Sequence, residues 1–113
     1  MVPVAGGPFA SVSVGGFVEY DQYPYGHTCA VTVTGSGLCW GANGYGELGD
    51  GSSTTRGTPA AVAGGLTFSS ISTGVYHSCG LTTGGIAYCW GAPGNGDGTS
   101  NASAVPVRVL GHP

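Results

Sequence analysis

The four cysteines and two of the three histidines are the side chains of this sequence best suited to cross-link the chain or to bind a metal. They stand in two similar segments, HTCAVTVTGSGLCWG and HSCGLTTGGIAYCWG. Equivalent residues are separated by 50 positions: His27/His77, Cys29/Cys79, Cys39/Cys89, Trp40/Trp90, Gly41/Gly91 and Ala42/Ala92. Copies spaced by about 20–50 residues are typical of solenoids, arrays and propellers, so we expect one structural unit to be repeated.

A β-hairpin would bring the two cysteines of each segment together. If residues 33–35 form a three-residue loop with the glycine in the left-handed conformation, Cys29 lies opposite Cys39 in a non-hydrogen-bonded pair. The Cα atoms approach more closely in that class of pair, which makes a cross-strand disulfide feasible. The same count places Cys79 opposite Cys89. We therefore predict two local disulfides, which are typical of proteins in an oxidising compartment.

A zinc site built from the four cysteines with His27 and His77 is the alternative. Zinc ligands normally come in tightly spaced pairs, whereas the two cysteines of each segment here are ten positions apart. Each segment can also satisfy its own cysteines through a disulfide. We therefore expect no metal and no cofactor.

The composition favours short strands joined by tight turns. Among 113 residues there are 24 glycines and 7 prolines, and long helices are disfavoured. Charged residues make up only 6% of the chain, lysine is absent and the formal net charge is −3. Nucleic-acid binding therefore lacks its main electrostatic contribution. No apolar run approaches the ~20 residues that cross a bilayer, so we predict no membrane span. The composition predicts an all-β chain.

Beyond the cysteines, the two units share a wider pattern. The second unit has Phe68, Ser70, Ile71, Gly74, His77, Cys79, Leu81, Thr82, Cys89, Trp90 and Gly91, and the first adds Asn43, Gly46, residues 48–51 and Pro59. This pattern covers nearly the whole chain and resembles the repeats of the regulator of chromosome condensation family. The resemblance implies a β-propeller with four-stranded antiparallel blades, and the cysteines resemble those of its secreted bacterial branch.

The resemblance also sets the expected domain organisation. We predict one domain, residues 1–113, with repeat one at about 8–59 and repeat two at about 66–110. Repeat one has an insertion at about 16–26, within GGFVEYDQYPYG, and the loop after its tryptophan is longer than that of repeat two. Family propellers close with seven blades, whereas this chain supplies about two. Other copies of the chain, or further propeller blades, are therefore the expected partners, in a ring or in an open helical stack.

The insertion is the candidate contact surface. Tyrosine gives a large contact area at a low entropic cost, and loops on rigid scaffolds often carry function. We predict a surface for a protein or glycan ligand, while packing of the loop over its own blade or over a neighbouring copy is the alternative. Its residues are Phe17, Glu19, Tyr20, Asp21, Tyr23 and Tyr25.

The other polar candidates have simpler explanations. Asn101 begins an Asn-Ala-Ser glycosylation triplet, which can also occur by chance. Asp50 and Asp97 each lie in a Gly-Asp-Gly sequence, which is ordinary turn chemistry rather than a calcium loop. No nucleophile stands at a matched position beside the histidines. We therefore expect framework roles for His27, His77, Trp40 and Trp90.

The sequence contains no catalytic constellation, and an enzyme is not expected. The leading hypothesis is an extracellular or cell-surface structural module whose blades associate with one another. A secretory leader is not recognisable in this sequence, which lacks a basic start and a long apolar stretch. The alternative is a soluble propeller that acts as a binding protein or inhibitor and docks on an enzyme, a receptor or a glycan. Exchange-factor activity on a small GTPase and chromatin binding, implied by the family's nuclear branch, are disfavoured because basic residues are scarce.

Overall fold

The computed structural model describes residues 9–15, 18–19, 23–24, 26–74, 76–93 and 102–109. All the regular structure in these residues is β-strand, which confirms the predicted all-β class. The strands are β1 (Phe9–Gly15), β2 (Val18–Glu19), β3 (Tyr23–Pro24), β4 (His27–Thr32), β5 (Gly37–Gly41), β6 (Arg56–Ala61), β7 (Phe68–Thr73), β8 (His77–Thr82), β9 (Ala87–Gly91) and β10 (Ser103–Arg108).

Eight of these strands form two antiparallel sheets, as predicted for two propeller blades. Blade one has the order β1-β4-β5-β6, and blade two has the order β7-β8-β9-β10. The short strands β2 and β3 pair with each other as a separate hairpin within the insertion. No helix long and apolar enough to cross a membrane occurs among the described residues.

The cysteine hairpins have the register that the sequence predicts. Cys29 pairs with Cys39 and Cys79 with Cys89, and both pairs form disulfides, with Cα–Cα distances of 4.1 and 4.0 Å. Gly35 has a φ of +90°, which only glycine adopts readily. The equivalent turn in blade two has the same geometry at its glycine. Both predicted disulfides are therefore confirmed.

The hydrophobic core lies between the two blades as well as within them. Strand β7 of blade two packs against β1 and β4 of blade one. The buried cluster is formed by Cys29, Val31, Cys39, Leu48, Val62, Phe68, Ile71 and Trp90. Because Gly37 faces Phe68 and Ile71, a Cβ at that position would lie 2.8 Å from the Phe68 ring. The close approach of the blades therefore depends on a small residue at position 37.

Candidate interaction surface

Each blade has two unlike faces, which we name by the residues they carry. Paired strand residues point to the same side of a sheet. One side, the disulfide face, carries the two cysteines and the histidine of its repeat. The other side, the tryptophan face, carries the tryptophan and the hydroxyl residue paired with it, Thr28 in blade one and Ser78 in blade two. The disulfide face of blade one packs against the tryptophan face of blade two.

Three hydrogen-bonding groups join the blades at the centre of this interface. Ser78 Oγ donates to the Glu47 carbonyl oxygen at 2.7 Å, and His27 Nε2 lies 2.8 Å from the same hydroxyl. Because the single hydroxyl proton is directed to Glu47, His27 must donate from Nε2. All three residues are buried. The Ser78 hydroxyl of blade two therefore links His27, on strand β4 of blade one, to Glu47, in the loop between β5 and β6.

The loop of residues 43–51 forms the second part of the interface. A Cβ on Gly49 would lie 2.7 Å from Trp90 Nε1, and one on Gly46 would lie 2.6 Å from the Ala104 Cα. The Gly51 amide donates to the Ala104 carbonyl at 2.9 Å. This loop therefore lies directly on the tryptophan face of blade two and on its outermost strand, and the glycines permit that close approach.

Asn43 fixes the shape of this loop. Its Oδ1 accepts from the Leu48 amide at 3.0 Å, and its Nδ2 donates to the carbonyl oxygens of Ser52 and Thr54 at 3.0 and 2.9 Å. The side chain is fully buried. A buried amide whose donors and acceptor are all used stabilises one backbone conformation, because leaving any of them unpaired is costly. Asn43 therefore holds the loop in the form that contacts blade two.

Asp50 stabilises the turn in which it lies. Its carboxylate accepts from the Ser52 amide and hydroxyl and from Arg56 Nε, the last at 2.6 Å. Partial burial alone would raise the pKa of Asp50, but the hydrogen bonds from Arg56 and Ser52 outweigh it and hold the pKa below its ordinary value. Among the described residues, no group of three or more His, Cys, Asp or Glu side chains is placed to hold a metal ion.

The tryptophan face of blade one is the open counterpart of the covered face in blade two. Register identifies Val12 as the equivalent of Ile71, since each pairs with the same position of the adjacent strand. Ile71 is 7% exposed and Val12 is 56% exposed.

The tryptophan and hydroxyl positions of the two blades differ in the same way. Trp90 and Ser78 are fully buried, whereas Trp40 and Thr28 are partly exposed. The Trp40 ring lies 6.0 Å from that of Phe9, and both remain partly accessible.

The disulfide face of blade two is open in the same way. Val31 of blade one is 3% exposed, while its equivalent Leu81 is 43% exposed. His27 is buried between the blades, but His77 is half-buried and its Nε2 contacts the carbonyl of Pro93 at 3.1 Å. Each blade therefore leaves uncovered the kind of face that the other uses in the interface.

Several predicted site residues fall outside this description. Phe17, Tyr20, Asp21, Tyr25, Asp97 and Asn101 lie outside the described residues. Glu19 and Tyr23 are described as backbone positions, and they pair with each other in the β2–β3 hairpin. The contact surface and the glycosylation site stay predictions.

Sequence reasoning missed the residues that join the blades, namely Ser78, Glu47 and Gly49. One signal was present for the first of them. A hydroxyl residue stands between the histidine and the cysteine in both repeats, as His-Thr-Cys and His-Ser-Cys, so the expectation that no nucleophile stands at a matched position beside the histidines is wrong. The matched hydroxyl indicates a shared role for this position of the repeat, and in the structure Ser78 is the one of the two that contacts the other blade.

The buried histidine makes stability dependent on pH. Burial lowers the pKa of His27 below 6.5, although the backbone of His77 opposes part of the shift. Above pH 6.5 both the folded and the unfolded chain are neutral at this site. As the pH falls, the unfolded chain takes up a proton first, so the free energy of unfolding should decrease below pH 6.5. Among the described residues, His27 Nδ1 has no hydrogen-bond partner to stabilise that proton.

Urea unfolding at pH 7.5 and pH 5.5 checks this expectation. The midpoint should fall at pH 5.5 for the wild type and for His77→Gln. For His27→Gln most of the decrease should disappear. An undiminished decrease in His27→Gln would contradict the assignment to His27.

The two disulfides should differ in their rate of reduction. Exchange requires a thiolate to reach a disulfide sulfur, and Cys29 and Cys39 are fully buried between the blades. Cys79 is partly exposed on the open face. In the native chain, brief treatment with dithiothreitol followed by alkylation and peptide mass analysis should show Cys79–Cys89 reduced first. The two bonds should react alike in concentrated urea, and equal rates in the native chain would contradict this expectation.

Comparison with known proteins agrees with the geometry. A family model described as the regulator of chromosome condensation (RCC1) repeat matches residues 35–81, and a second model of the same description matches residues 68–98. Comparison with curated protein sequences gives no significant match.

Solved structures with the same arrangement of strands are propeller proteins of much greater length. Human WBSCR16 superposes with a TM-score of 0.75 at 22% identity, over 96% of this chain and 28% of that one. Prp20p of Saccharomyces cerevisiae gives 0.75 at 19% identity, over 98% and 27%. Yeast RCC1 (Prp20) in its complex with Kap60 gives 0.71 at 22% identity, over 93% and 26%. The chain thus spans about a quarter of the length of these structures.

Proposed function

Because the chain belongs to the regulator of chromosome condensation (RCC1) repeat family, we propose that it is a non-enzymatic interaction module whose open faces bind propeller-type blades. These blades come from other copies of the chain or from a longer propeller. Prp20p binds Gsp1p and histones. Yeast RCC1 (Prp20) has also been solved in a complex with Kap60. We carry over to this chain the general role of protein binding, not those partners.

The burial difference between equivalent residues is the observation that supports the proposal. Ile71 loses almost all its exposure when blade one covers it, whereas Val12 keeps more than half. Covering an apolar side chain of this size stabilises a contact by about 1.5–3 kcal/mol. The open faces therefore offer the same type of apolar contact that already holds the two blades together.

We also propose an extracellular or cell-surface location. Two disulfides link the chain, and the described cysteines are all paired. Such bridges persist in oxidising environments and are rare in the cytosol. The scarcity of charged residues does not oppose association, because neighbouring copies carry little charge to repel each other.

A charge placed on the open tryptophan face tests the proposal. In Val12→Asp, an unpaired carboxylate would have to be buried on association, which is strongly unfavourable. Light scattering over a range of concentrations should show the wild type growing in mass and Val12→Asp remaining monomeric. Val33→Asp is the matched control, because Val33 is 64% exposed and lies in the turn between β4 and β5, not on the strands of the open tryptophan face.

Circular dichroism should show both variants folded, since both positions are on the surface. A wild type that remains monomeric at every concentration would contradict the proposal for copies of this chain. Equal association by Val12→Asp and the wild type would show that blade faces do not carry it.

A further inference from the structure

We propose that the tryptophan face of blade one receives the disulfide face of blade two from a second copy, with His77 of that copy donating to the Thr28 hydroxyl. This inference rests on the proposed function and names its partner and its contact. The copies are arranged head to tail. Each contact between two copies has the same form as the interface that joins the two blades within one copy.

The internal interface supplies the template for the polar contact. Inside the chain, His27 Nε2 donates to Ser78 Oγ across the blades. The residues in the same repeat positions are His77 and Thr28, one on each open face. A threonine hydroxyl has the same donor and acceptor capacity as serine. The His77–Thr28 pair therefore matches the internal pair in chemistry and in position.

The apolar contacts have matching counterparts. Inside the chain, the hairpin carrying Val31 and Gly37 meets Phe68 and Ile71. Toward a second copy, Leu81 and Ala87 take the places of Val31 and Gly37, while Phe9 and Val12 take the places of Phe68 and Ile71. Because Ala87 carries the Cβ that Gly37 lacks, the two copies must lie slightly farther apart at this point than the two blades do. None of these side chains is charged, so the contact requires no buried ion.

In the proposed contact, His77 exchanges one hydrogen-bond partner for another on association. In the single copy, His77 Nε2 contacts the Pro93 carbonyl. On association that bond is exchanged for one to Thr28 of the neighbour, so the number of histidine hydrogen bonds is unchanged. The loop of repeat two is shorter than residues 43–51, and no counterpart of the Ser78–Glu47 contact is included in the proposal.

The head-to-tail register determines which faces remain free at the two ends of an assembly. The two open faces are unlike, and a contact between unlike faces leaves one of each free at the ends. A pair of copies can therefore add a third. A two-fold dimer, in which one face meets itself, is excluded by the inference.

Mixing two variants, each defective on one face, tests the register. Val12→Asp blocks the tryptophan face of blade one, and Leu81→Asp blocks the disulfide face of blade two. Sedimentation velocity should show each variant monomeric alone, because one half of every contact carries a buried charge. An equimolar mixture should form a dimer and nothing larger, since one intact face remains on each partner.

The outcomes separate the two proposals. A wild type that is monomeric throughout overturns the register and, for copies of this chain, the proposed function. Association by the wild type with no dimer in the mixture overturns the head-to-tail register and leaves association through blade faces standing. Self-association by either variant alone also overturns the register.

The hydroxyl contact has its own test within the same experiment. Adding Thr28→Val to the Leu81→Asp partner should raise the dissociation constant of the mixed dimer on the order of tenfold, through loss of one buried hydrogen bond. Thr28→Ser restores the residue type that repeat two uses and should bind as well as threonine. Equal binding by the valine variant overturns the His77–Thr28 contact.

Discussion

Replacing Trp90 with alanine should lower the free energy of unfolding by about 3–5 kcal/mol, whereas Trp40→Ala should cost the isolated chain much less. Trp90 is fully buried, with its ring centroid 5.9 Å from that of Phe68 and the 43–51 loop against its indole nitrogen. Removing it leaves a cavity between the blades. Trp40 has the same position in its repeat but is partly exposed, so its loss removes fewer contacts.

Urea denaturation followed by far-ultraviolet circular dichroism measures this difference without depending on tryptophan fluorescence. Dilute protein should be used, so that association does not add to stability. The two substitutions remove the same side chain from equivalent positions, which makes each the control for the other. Equal losses would contradict the assignment of Trp90 to a covered face and Trp40 to an open one.

Removal of the Cys29–Cys39 disulfide should lower the free energy of unfolding by about 2.5–3 kcal/mol. The bond closes a loop with a sequence separation of 10, and the chain-entropy model gives a stabilisation of this size. Both cysteines are fully buried against blade two, so Cys29→Ala/Cys39→Ala also removes packing between the blades.

The matched variant is Cys79→Ala/Cys89→Ala, which removes a bond of the same separation from the open face. The loop-closure contribution is the same for both, and the packing contribution should be larger for the first pair. Urea unfolding under non-reducing conditions should therefore show the Cys29/Cys39 variant to be the less stable of the two. The reverse order would contradict the placement of that bond at the blade interface.

The fold was predictable where it depends on local chemistry. A glycine suited to a positive φ fixes the turn at Gly35, the turn fixes the register, and the register brings Cys29 to Cys39. Each of these steps joins residues within one hairpin. The repeat of 50 positions then extends the same argument to blade two.

The interface between the blades was not predictable in the same way. Ser78 contacts Glu47 across 31 positions of sequence and His27 across 51, and no local pattern determines such pairs. The sequence treats Trp40 and Trp90 as equivalent. Their environments differ because blade one covers the second and no described element covers the first to the same extent, and that distinction belongs to packing rather than to the repeat.

The interface also explains why the two faces of one blade carry different chemistry. One face carries the disulfide and the histidine, and the opposite face carries an aromatic ring and a hydroxyl. Such a pair of faces fits a neighbour of the same kind in one direction. In the proposed function, a chain with one interface satisfied and one of each face open adds further blades at those faces.

The most direct test of the central claim is the mass and shape of the native particle, by light scattering and negative-stain electron microscopy under non-reducing conditions. If the two open faces are halves of one interface, concentrated protein should form rings or filaments of more than two copies. A chain that remains monomeric, or that stops at a two-fold dimer, would contradict the claim.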